Sequence, residues 1–388
     1  MTDTPPPGLS PEVPSDAPAG ATPDEGQTLT FDTTLKPSSF LGLSLKNGLL
    51  NIVTLTLWRF WGKTEVRRRV WQGIRLNGDA FEYTGKGKEL FIGFLLALVV
   101  LGLPFLLVVF GLQFLGPMKA FVLILPLYVF IFWLCGYGVF TAYRYMASRT
   151  TWRGIRFQLG GSAINFGWKY IGVLLLTGIT AGWYGPAGER SLAESIWSSL
   201  SFGDRKFRFY MRKSEEQGVY GAFALGWFGT IIPYFLFIGV IIAISVATQA
   251  YGGYESLASN EPLPQSARIM MVLVIYAVMF AFAPLILLIW SPYYAAMLRS
   301  ITAGIGVDGA TFRLEVKALA LWWLILVNLF FLLITLGFLM PWVQARTARF
   351  LVQRLKSTGT AQIDEALQTG TGPGSGEGLA DAFGFSLI

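Results

Sequence analysis

Four stretches of this chain run without a single charged side chain: Leu90 to Gly116, Ala120 to Tyr143, Gln217 to Tyr254 and Ile269 to Leu298. A helix crossing a ~30 Å hydrocarbon core needs about 20 consecutive apolar residues, so each is a membrane span by length alone. Ala318 to Ala345 is a fifth of the same kind. Two weaker runs remain: Tyr170 to Gly188 is rich in Gly, and Asn47 to Trp58 offers only twelve residues between Lys46 and Arg59. Composition agrees, since 53% of the residues are apolar and 14% charged, against roughly 25% charged in an ordinary soluble domain.

The ends read differently. Residues 1 to 35 carry Pro5 to Pro7, Pro11, Pro14, Pro18 and several acids but no apolar h-region, so no cleavable signal peptide is expected and the first membrane segment directs insertion. This acidic, proline-rich head and the glycine-rich tail from about Gly370 bury too little apolar surface to offset ordering entropy, and disorder is expected of both. The lone Cys135 lies in an apolar run, where it reads as a small hydrophobe.

A unit recurs inside the chain. Thr54-Leu-Thr-Leu-Trp-Arg-Phe-Trp61 aligns without gaps to stretches opening at Thr180 and Thr335, so that Trp71, Trp197 and Val352 correspond, as do Gly78, Asp204 and Gly359. Asn47 and Asn328 each stand seven residues before their Thr. Shorter relatives occupy Tyr143 to Gln158 and Tyr293 to Val316, making five copies. Each is expected to be an amphipathic basic helix at the membrane surface followed by two short alternating runs about a Gly turn, which read as β-hairpins. Because a lone hairpin is marginal, the hairpins are expected to gather into one layer, with Thr28 to Thr34 adding an edge strand.

The series from Thr54 to Phe94, including Phe81-Glu82-Tyr83-Thr84-Gly85 and Glu89-Leu90, resembles the YjgN family of bacterial inner-membrane proteins, a group without an assigned activity. The likeness covers residues 28–365, between a disordered tail at 1–27 and another at 366–388. It departs at Thr56 and Phe60, where the family has Gly and Pro, and in the middle copy, where Glu189, Ser191 and Glu194 replace basic residues. The expected fold class is a mainly α membrane protein: a polytopic helical bundle with repeated basic amphipathic helices and short β-hairpins at the cytoplasmic face.

Chemistry narrows by exclusion. With no histidine in the chain, Ser-His-Asp triads, Cys-His pairs and His-Glu zinc sites are absent together, and Cys135 has no metal-ligand companions. No enzyme, cofactor or metal is expected. Coupled carriers place ionisable residues at membrane depth, and the four strongest runs hold none. A passive or lipid-handling role therefore leads. The alternative is a scaffold or regulator in which Lys63, Arg67, Arg68, Arg69, Arg144, Arg149, Arg153, Arg346 and Arg349 contact anionic headgroups or a cytoplasmic protein. Trp61, Trp71, Trp152, Trp183, Trp290 and Trp342 are expected to form the interfacial belt. Anionic membrane lipids are the expected partners, and no nucleic-acid-reading module is visible. Placing all five units in the cytoplasm leaves only Lys119 and Arg268 among the loop cations on the other side, as the positive-inside rule demands. That arrangement requires four spans, with 47–58, 170–188 and 318–345 re-entrant or interfacial; seven spans is the competing model.

Overall fold

The alternating runs around the glycine turns come together as a single sheet. A computed structural model describes residues 27–210, 213–248 and 265–368, and its ten strands pair antiparallel in strict chain order. They are β1 (Phe31–Thr33), β2 (Ile74–Leu76), β3 (Asp79–Tyr83), β4 (Thr150–Trp152), β5 (Ile155–Leu159), β6 (Leu200–Phe202), β7 (Arg205–Phe209), β8 (Ile305–Val307), β9 (Ala310–Leu314) and β10 (Leu355–Thr358). The connection from β2 to β3 turns on Asn77 and Gly78, both at positive φ (51° and 89°), and that from β4 to β5 on Arg153 and Gly154 (48° and 78°). These left-handed pairs match the twist of the flanking strands.

The sheet bends round until its ends nearly meet. Gln27 and Ala361 exchange backbone hydrogen bonds of 3.1 and 3.0 Å, and the Ser357 hydroxyl donates to the Leu29 carbonyl. Among the described residues no ladder joins β1 to β10 directly. The fifth unit thus departs from the expected hairpin at Thr358-Gly359-Thr360: it contributes one strand, and the chain beyond it pairs with Gln27 instead. The physical reason is the edge itself, whose free N–H and C=O groups are met by the other end of the same sheet.

Five excursions leave this ring and return to it. Two are long. From β3 the chain runs through α3 (Gly87–Ala97), a π-turn at Leu98–Gly102, α4 (Leu103–Leu112) and α5 (Pro117–Arg149) to β4. From β7 it runs through α8 (Lys213–Thr248) and α9 (Gln265–Gly304) to β8. Within them Gly87–Leu112, Val122–Arg149, Gly218–Ile244 and Arg268–Gly304 are four helices long and apolar enough to cross a membrane. The other three are helical hairpins: α1 (Leu41–Val53) with α2 (Arg59–Gln72), α6 (Ala163–Ile179) with α7 (Gly185–Trp197), and α10 (Ala318–Ile334) with α11 (Met340–Val352). Helices α6 and α10 have 17 residues each, about 26 Å at 1.5 Å per residue, and α1 is shorter.

The disorder expected of the head and of the tail beyond Gln368 concerns residues outside those described. Residues 366–368 belong to the body, because Ala366 is buried and the Gln368 side chain accepts a hydrogen bond from the Arg156 backbone.

Candidate functional site

Alternation along a sheet curled into a ring sends every second side chain inward, and here the inward set is aromatic and aliphatic. Phe81 faces Trp152 across β3 and β4, Phe157 faces Phe202 across β5 and β6, and Phe207 faces Val307 across β7 and β8. They surround a cavity of about 460 Å³ whose other walls include Leu29, Phe312 and Leu355. Its helix-side end is formed by Trp197 of α7, Leu298 and Thr302 of α9, and Leu351 and Val352 of α11. Two polar groups on these walls are engaged within the protein: Thr302 donates its hydroxyl to the Leu298 carbonyl at 2.8 Å, and the Trp152 indole donates to the Asp79 carbonyl at 3.3 Å. A cavity so lined suits an apolar occupant.

At the turn end the chain after β10 crosses the ring, burying Ala361, Ile363 and Ala366 against the aromatic core. Polar groups hold this segment at its margins. Arg153 bridges Asp79 at 2.5 Å and also pairs with Asp364, and these carboxylates, the Asp79 hydrogen bond foremost, hold its guanidinium above the usual arginine range. Leu367 donates its backbone N–H to Asp204 at 3.0 Å, and Gln362 donates to Asp308 at 3.2 Å. Arg205 lies 3.6 Å from Glu365. The outer wall carries exposed Arg75, Lys206, Arg208, Arg313 and Lys356. Lys356 reaches Glu315 at 2.8 Å, and that hydrogen bond holds the carboxyl below its ordinary range.

The cations singled out from sequence do not form one surface. Arg67 is fully buried, with Nη1 donating to the Tyr83 hydroxyl at 3.2 Å, and so is not a headgroup contact. The reason is register: seven residues after Phe60, it lies on the same face of α2 and points into the core shared by Phe60, Tyr83 and Tyr145. Arg68 and Arg69 are exposed, reaching the carbonyls of Gly85 and Ser39. Arg144 donates to the carbonyls of Leu159 and Gly161 at 3.1 and 2.6 Å, and Arg149 pairs with Glu89 at 2.9 Å. Arg346 donates to the Asn328 side chain at 2.8 Å and lies over the Trp342 ring, while Arg349 is exposed.

Of the expected tryptophan belt, Trp152 is corrected outright: it is buried inside the ring, because Thr150-Thr151-Trp152 is a strand whose third residue faces inward. Trp71 is half-buried and bonded to the Thr150 hydroxyl, Trp290 to the Thr230 hydroxyl. Trp183 packs on Phe223, Trp342 on Phe331, and the more exposed Trp61 on Phe91.

The recurring Thr has a clear task. At the tips of the three helical hairpins Thr54, Thr180 and Thr335 donate to the carbonyls of Leu50, Leu176 and Phe331 (2.7, 2.7 and 2.6 Å) and accept the N–H of Trp58, Tyr184 and Leu339. Each satisfies backbone groups at a tip whose next residue, Leu55, Ala181 or Leu336, is left-handed at φ 49°. Leu55, Ile179 and Leu336 are among the most exposed apolar side chains in the protein. An apolar tip with its backbone internally satisfied suits hydrocarbon. Between α6 and α7, Lys169 donates to the Ser191 carbonyl and the Ser195 hydroxyl at 2.8 and 2.7 Å, tying that hairpin together.

A family model described as "Bacterial protein of unknown function (DUF898)" matches residues 28–382. The chain belongs to this family. DUF898 is the YjgN-type group that the Thr54 to Phe94 series resembles, and in this member its motif residues build hairpin tips and ring strands. No curated protein and no solved structure matches the chain.

Proposed function

We propose that this DUF898 member is a multi-pass protein of the bacterial inner membrane that handles lipid, holding an apolar chain inside its strand ring. The observation carrying the reading is the cavity walled by Phe81, Trp152, Phe157, Phe202 and Phe312, whose lining is almost wholly apolar. Connectivity supports the placement. Consecutive strands of one ring flank every excursion, so helices that cross must do so in pairs, out and back, and all five units share one face. The positive-inside rule favours the cytoplasm for that face. The groove among α8, α9 and α10, about 430 Å³ and lined by Pro233, Phe237, Phe282 and Leu329, is also apolar, which favours lipid over a hydrated solute. The expectation of no enzymatic activity stands as part of this proposal.

The test is photo-cross-linking of the purified protein with a diazirine-bearing fatty acyl probe, mapped by peptide mass spectrometry. Adducts are expected on Phe157, Phe202 or Phe312. Adducts confined to the outer surfaces of the spanning helices would remove the ring from the proposal.

A further inference from the structure

A second cavity, of about 640 Å³, opens between two helical hairpins, with α1 and α2 on one side and the start of α11 with its preceding turn on the other. Its chemistry is the reverse of the ring's. Arg59 and Lys63 of α2 line it with Asn47, Asn51 and Gln344, and no carboxylate contributes to its walls. Glu65, on the same helix, is engaged by Lys46 at 2.6 Å.

The walls are built. A Cβ on Gly48 would stand 2.8 Å from the Phe338 ring and one on Gly62 would stand 3.2 Å from Asn47, so both glycines allow the hairpins to close on each other. Asn47 is 5% exposed, and its Oδ1 accepts the Trp58 indole N–H at 3.1 Å. Its Nδ2, packed against Gly62, and Oδ1 of Asn51 are sealed from solvent and have no hydrogen-bond partner among the described residues.

Position makes the charge informative. Arg59 is three residues past the left-handed turn at Leu55 and Thr56, at a tip whose neighbours Val53 and Leu55 are strongly exposed apolar side chains. Cations beside such a tip are costly unless they serve a ligand or pathway. Helix α11 spans the distance from this cleft, at Met340 to Gln344, to the ring cavity, at Leu351 and Val352.

We propose that the cleft between the first and third helical hairpins binds a phosphate-bearing anion, with Arg59 and Lys63 neutralising it. The inference rests on the membrane reading above and names the charge class of the lipid headgroup. Inorganic phosphate has the same chemistry, and the experiment separates the two sources.

Purified protein in neutral detergent is incubated with phosphatidylglycerol or phosphatidylcholine, and retained lipid is measured by native mass spectrometry. Selective retention of phosphatidylglycerol is expected. It should fall roughly thirtyfold in Arg59→Gln/Lys63→Gln, about fivefold for each cation, and stay unchanged in Lys206→Gln/Arg208→Gln, which removes equal charge from the ring's outer wall. Because Arg59 is exposed, Arg59→Gln alone serves if the double variant does not fold. Saturable binding of inorganic phosphate lost in the same variants, without a lipid preference, assigns the cleft to the free anion. Equal retention by wild type and Arg59→Gln overturns the proposal. Acyl cross-linking in the ring is read separately, so either site can fail while the other stands.

Discussion

Thr56 sits at φ 70°, a conformation its two equivalents, Gly182 and Gly337, adopt at 95° and 85°. A β-branched residue is strained there, whereas Gly enters the region freely. Thr56→Gly is therefore expected to stabilise the first helical hairpin by about 1 kcal/mol, seen as a raised thermal midpoint of the detergent-solubilised protein. An unchanged or lowered midpoint would mean the Thr56 side chain makes a compensating contact in the polar cleft, which it lines. The same scale explains why charge alone misleads. Arg67, Arg68 and Arg69 are consecutive, yet helical geometry points the first into the core and the other two outward. A basic triplet on a helix cannot present all three cations to one surface.

The helical hairpins are the elements on which topology turns. Helices α6 and α10, about 26 Å long, reverse at a Thr-capped tip and return to the strand next to the one they left, so on the proposed membrane reading each would dip toward the bilayer without changing sides. In a Cys135→Ser background, single cysteines replacing Arg75 on β2 and Thr311 on β9, both exposed on the ring's outer wall, should behave alike. Neither should react with a membrane-impermeant thiol reagent on intact cells, and both should react once the membrane is opened. If these hairpins spanned instead, the two positions would fall on opposite sides. Labelling of one from outside but not the other would break the single ring.

At the scale of the whole molecule, closure is the feature most exposed to failure. The ring is completed by residues that follow β10, through the bonds of Ala361 with Gln27 and the burial of Ile363 and Ala366. Truncation after Thr360 is expected to expose the aromatic interior. Amide exchange should accelerate in β1 and β10 before β4 to β7, where each strand keeps two partners; uniform exchange across the ring would show that the closing segment contributes nothing to it. Much of the rest was legible beforehand. The uncharged runs determine four helices of spanning length, because bilayer thickness leaves an apolar chain few choices. The spacing after Thr54, Thr180 and Thr335 determines a helix and then a strand, because helix and turn patterns are local. Hairpins were readable for the same reason, and inward aromatics such as Phe157 and Phe202 follow from alternation once a strand is granted. What local pattern leaves open is which strands meet. Pairing of β1 with β2 across α1 and α2, the approach of Gln27 to Ala361, the burial of Trp152 and Arg67, and the meeting of Asn47 and Lys63 with Phe338 each join residues far apart in sequence. Only tertiary structure decides them, because hydrogen-bond direction and burial are satisfied by the whole ring and not by any segment of it.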